Sequence, residues 1–131
     1  MYKKNNLKKS FSLIELIFII AIIAIISSIA IPKLSSLNTK ATVSSIKQDI
    51  NTIISSSKSY YLINNKLDKI NDAINLDSSV WTISDTQLKY KECLTITLNN
   101  LQLNLSISPA SSDICKNLHE NGVLNTSYSL N

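Results

Sequence analysis

One carboxylate stands where an apolar surrounding would punish it. Residues 11–31 form a run of 21 in which Glu15 is the only charged side chain. In hydrocarbon an isolated carboxylate costs several kcal/mol unless it is protonated or paired, so Glu15 calls for a cationic partner. Two thiols follow much later, Cys93 and Cys115. Outside a reducing compartment they are expected to form a disulfide, and inside one to remain buried thiols. Closing their loop of about 22 residues would contribute roughly 3 kcal/mol by the chain-entropy argument. With the single histidine, His119, they are too few to complete a four-ligand zinc site without acids. Asp68, Asp72 and Asp77 are spaced as on a helix, without the looped geometry that calcium prefers, and read as a solvated face. His119 has no nucleophile or acid arranged around it, and no Gly-rich phosphate loop occurs. No catalytic residue, metal or cofactor is expected, and the chain reads as a non-enzyme.

The element that carries Glu15 is long enough to span a bilayer. Twenty-one helical residues rise about 31 Å, close to the roughly 30 Å of hydrocarbon. Lys3, Lys4, Lys8 and Lys9 precede the run and only Lys33 follows closely. This bias predicts a cytoplasmic N-terminus and an extracytoplasmic remainder. Three fates compete for the segment. A secretory cut after Ser28-Ile29-Ala30 would leave Glu15 interrupting the apolar region. A plain anchor gives Glu15 no purpose. A cut between Ser10 and Phe11 removes the basic leader and creates a free amine four residues from Glu15. The amine of a neighbouring copy would then be the missing partner, and the pairing would set an axial stagger between helices. Ala21, Ala24, Ser27, Ser28 and Ala30 permit close helix approach.

These residues resemble the signature of the type IV pilin and pseudopilin family. The matching stretch is Lys8-Lys9-Ser10, then Phe11-Ser12-Leu13-Ile14-Glu15-Leu16, an apolar helix, and Pro32 where the family has its helix-bending proline. The resemblance implies a prepilin peptidase that cuts after Ser10 and methylates the Phe11 amine, with Glu15 serving assembly. It also implies other pilin subunits, an assembly platform and membrane lipid as partners, and a disulfide pinning the C-terminal segment. The family usually has glycine before the cut, where this chain has Ser10. The Tyr60-Tyr61 and Asn64-Asn65 pairs resemble the end of the family helix, without its glycine and Tyr-Pro turn.

The remainder predicts an α+β fold. Val43, Ile46, Ile50, Ile53, Ser57 and Tyr60 step by threes and fours, so the helix should run from Phe11 to about Asn65 with a bend at Pro32. The organisation expected is a leader (1–10), an assembly helix (11–33), an amphipathic helix (34–65) and a small head (66–131). Residues 66–79 predict a short helix and loop. Val80–Ile83, Cys93–Leu98 and Leu101–Ile107 predict strands, with a tight hairpin at Asn99-Asn100. Three or four antiparallel strands should pack on the helix, with Trp81 as a core anchor. Ser111 or Ser112 should cap a short helix from Asp113 to Glu120.

Charge narrows the function. The formal net charge of +4 belongs to the leader: beyond residue 10, nine lysines face nine acids. No basic stripe with aromatics suggests nucleic-acid binding. Two readings stand. The first is a processed structural subunit of a pilus or secretion pseudopilus, serving secretion, adhesion, motility or DNA uptake, and preferably a minor subunit. The second is an unprocessed, monomeric, membrane-anchored binding module.

Overall fold

The computed structural model describes residues 11–131. The chain divides after Asn38 into two compact units. One helix, α1 (Leu13–Asn64), contributes to both and contains Pro32.

In the first unit α1 starts two residues later than the apolar pattern predicts. Ser12 stops it: its Oγ accepts the Glu15 amide N–H at 3.3 Å, while its carbonyl accepts the amides of Glu15 and Leu16. A helix leaves its first four N–H groups without internal partners, and a serine at this position satisfies one of them. From Phe11 to Leu37 every large apolar side chain is exposed.

In the second unit α1 buries Val43, Ile46, Ile50, Ile53 and Ser57. Their spacing of three and four residues forms one stripe. Burying an isoleucine side chain stabilises by roughly 1.5–3 kcal/mol, so this stripe fixes the helix on its core. The helix ends through Asn65, at φ 56°, whose amide bonds to the Tyr61 carbonyl at 2.7 Å. Asparagine is tolerated in this left-handed position, where a glycine is more usual.

Residues 66–79 hold only the 3-10 turn Ile70–Asp72, not the short helix expected. Leu67 and Ile70 are buried there, but the segment is held by tertiary bonds: the Ile70 amide donates to the Asp85 carbonyl. Asp77 folds its carboxylate onto the Ser79 amide and hydroxyl at 2.8 and 2.7 Å. Trp81 follows, 1% exposed, with its indole N–H on Asp49 Oδ2 at 2.8 Å and its ring 5.7 Å from that of Tyr90. It is the core anchor expected.

Five strands form one antiparallel sheet in sequence order: β1 (Thr82–Ile83), β2 (Gln87–Tyr90), β3 (Leu94–Asn99), β4 (Gln102–Ile107) and β5 (Thr126–Ser129). This exceeds the three or four expected. The hairpin turn is Asn100-Leu101, one residue beyond the predicted pair, since Asn99 opposes Gln102. Both turn residues have positive φ, 46° and 64°, as a two-residue hairpin of matching twist requires. The change shifts the pairing by two residues, which preserves side-chain faces. Leu94, Ile96 and Leu98 face inward with Leu103, Leu105 and Ile107, while Leu101 falls in the turn.

Helix α2 (Asp113–Glu120) has the predicted bounds, with Ser112 as its cap. Cys93 and Cys115 are bonded, their Cα atoms 5.9 Å apart. The bond ties the first turn of α2 to the approach to β3. At the other end of α2, Lys47 of α1 donates to the Asn121 carbonyl at 2.9 Å, where the helix dipole favours a cation.

Candidate functional site at the start of the long helix

The processing and assembly residues expected from the sequence, Phe11 and Glu15, lie at the start of α1. Phe11 is 74% exposed and precedes the helix. Glu15 lies in its first turn, where a carboxylate is favoured by the positive end of the helix dipole, by about 0.3–1 kcal/mol when exposed. Ser10 lies outside the described residues. Pro32 sits inside α1, where it removes the amide bond to the Ser28 carbonyl.

Ser12 lies within the signature stretch, but its role as the helix cap was missed. Ser12 and Glu15 together spell the Ser-x-x-Glu pattern of a capping box, and that pattern was the available signal. The amide half is formed, with the Ser12 hydroxyl accepting from Glu15. Glu15 therefore has two local roles to separate, a charge within an apolar segment and a residue of the helix start.

The helix surface beyond Glu15 suits an apolar surrounding. Ile14 and Ile25 are each 65% exposed. The small side chains Ala21, Ala24, Ser28 and Ala30 are exposed between such residues, and Ser27 is half-buried. Ser28 Oγ donates to the Ile25 carbonyl at 2.7 Å, which satisfies that hydroxyl within the helix, as an apolar surrounding requires. Among the described residues α1 is the one helix long and apolar enough to cross a membrane.

Residues 5–31 match the family model of the prokaryotic N-terminal methylation motif. The chain carries a prepilin-type signal. No curated protein and no solved structure matches it. The prepilin-type motif supports a pilin-like processed subunit, a structural role, and membrane anchoring through the apolar helix. In general terms it implies a prepilin peptidase and other pilin subunits as partners.

The other sequence candidates lie elsewhere. His119 is exposed in the last turn of α2. Asp72 ends the 3-10 turn, and Asp77 is turned onto Ser79. Among the described residues no group of three or more His, Cys, Asp or Glu side chains could hold a metal ion.

Proposed function

We propose that this chain is a structural subunit of a type IV pilus or a secretion-type pseudopilus. It inserts with its N-terminus in the cytoplasm and is cut after Ser10. The new Phe11 amine is methylated, and the chain polymerises through α1. The Glu15 carboxylate pairs with the Phe11 amine of a neighbouring copy, and Pro32 lets the helix bend during packing. The Thr39–Asn131 unit then lies outside the cytoplasm, which suits a Cys93–Cys115 disulfide. The observation that carries this reading is the methylation motif over residues 5–31 on a helix whose large apolar side chains from Leu13 to Leu37 are all exposed.

Intact-mass measurement of the mature chain tests the processing step. The expected mass lacks residues 1–10 and carries one added methyl group; a full-length mass would sink the proposal. The charge pairing is tested separately with Glu15→Gln. Glutamine keeps the side-chain shape and serves a capping box as glutamate does, but carries no charge. We expect normal cleavage and loss of the variant from sheared filaments. Incorporation at the wild-type level would leave Glu15 as a residue of the helix start alone.

A further inference from the structure

The two edges of the sheet are finished differently. The β1 edge is two residues long. Beyond it the Asp85 carbonyl accepts the Ile70 amide at 2.7 Å, and its side chain pairs with Lys69 at 3.3 Å. Short length, coverage and charge are the usual protections of an edge strand. The β5 edge is four residues long, and Ser127 and Ser129 on it are exposed among the described residues; residues 121–131, Asn-Gly-Val-Leu-Asn-Thr-Ser-Tyr-Ser-Leu-Asn, contain no charged side chain and no proline.

The backbone groups of that edge follow from register. The Leu130 amide donates to the Leu101 carbonyl at 2.9 Å, so this facing pair is a hydrogen-bonded one. Bonded and non-bonded pairs alternate in an antiparallel ladder. Tyr128 opposite Leu103 and Thr126 opposite Leu105 are therefore bonded pairs too. Ser127 and Ser129 turn both their N–H and C=O groups away from β4, toward the open side. At the end of the ladder the Asn125 side chain accepts the Ile107 amide at 2.8 Å, replacing the next backbone partner.

Beside this edge runs a cleft of about 300 Å³ between α1 and the inner face of β5. Ile50, Leu105, Val123 and Tyr128 contribute to its apolar lining, and Lys47 is its only charged residue. A strand added to β5 would present alternate side chains to the inner face, over this cleft. We propose that β5 is a strand-addition site. Its ligand is an extended polypeptide segment of another protein, with apolar side chains at alternate positions and one acidic residue placed to reach Lys47. Main-chain bonds to Ser127 and Ser129 hold the segment, and the cleft selects its side chains. Lys47, whose ammonium reaches the Asn121 carbonyl at the cleft, and the uncharged edge favour such a segment over a basic one. The inference is independent of whether the chain polymerises.

The probe is an acetylated, amidated heptapeptide, Val-Thr-Val-Thr-Val-Thr-Asp, which places its valines and its acid on one face, offered to the full chain in detergent micelles. Amide hydrogen exchange at Ser127 and Ser129 is the readout. We expect exchange at these two amides to slow by about tenfold or more as they enter a ladder. The same peptide N-methylated at alternate residues should leave exchange unchanged. Ser127→Pro, which removes an outward N–H at an edge position that tolerates proline, should weaken binding by about tenfold or more. Replacing the terminal Asp of the peptide by Asn should weaken it less and remove its salt dependence. Equal binding of the N-methylated peptide, unchanged exchange at both serines, or concentration-dependent protection without peptide would each overturn the proposal. The last result would assign the edge to a second copy of this chain. The N-methylated peptide keeps the test decisive even if Ser127→Pro fails to fold.

Discussion

Ser57 is fully buried in α1, and its hydroxyl finds no hydrogen-bond partner. A buried donor left unpaired costs about 1–3 kcal/mol, and serine is a weaker helix former than alanine. Ser57→Ala keeps the small size and removes both penalties. Thermal unfolding should show a gain of about 1 kcal/mol, or some 4–8 °C for a unit of this size. A lower midpoint would mean that the hydroxyl has a partner such as a buried water. Asp77 shows the opposite case, an exposed acid that is well served. The Ser79 hydroxyl and then the Ser79 amide hold its carboxyl below the ordinary 3.8. A depressed folded-state value stabilises the fold fully above the unfolded value and loses that contribution as pH falls through the folded one. The loss therefore falls below pH 3.8. Carboxyl NMR titration should find Asp77 below its ordinary value, with Ser79→Ala moving it back up. A titration at or above the ordinary value would remove the turn from the acid stability of the chain.

Elements were legible in the sequence where the local pattern and the tertiary pattern coincide. Helix α2 has a cap at Ser112, apolar residues at Ile114, Cys115 and Leu118, and a glycine after its end, so local chemistry alone bounds it. β3 and β4 alternate cleanly because both lie inside the sheet and bury one face. β5 was not legible: of its four residues only Tyr128 is even half-buried, so no alternation of apolar side chains marks it. β2 buries Leu88 and Tyr90, but four residues interleaved with Gln87 and Lys89 are too few to stand out. At the long helix the pattern of an acid in an apolar run points to Phe11 and Glu15, whereas the part Ser12 plays at the helix start shows only in its bond from the Glu15 amide. The disulfide belongs to this scale, because it joins two elements that α2 and β3 form independently. Cys93→Ala with Cys115→Ala should lower stability by roughly 3 kcal/mol. Denaturant unfolding of the full chain in detergent, with and without reductant, measures it. An unchanged midpoint would mean that sheet and core packing alone hold α2.

At the scale of the whole molecule, charge and apolar surface are segregated along the chain. Four lysines lie in residues 1–10, and the remainder balances nine lysines against nine acids. The sequence pI of about 9.1 is thus a property of the precursor. The proposed cut after Ser10 would delete the positive cluster expected to orient the segment in the membrane and would uncover one amine at the edge of the apolar run. Isoelectric focusing should move the mature chain from the basic range to near neutrality. A cut after Ala30 would instead remove Glu15 as well, leaving nine lysines against eight acids, and would delete the exposed apolar helix surface that the proposed polymer needs. The same balance bears on DNA. Neutralising phosphates with lysines gives steep salt-dependent affinity, and the mature chain has no net charge to spend on it. Its retention on immobilised duplex DNA should be negligible at physiological salt, while the uncut precursor is retained through its leader. Equal retention of both forms would mean that the Thr39–Asn131 unit carries a basic surface of its own, and a role in DNA uptake would then rest on that unit directly.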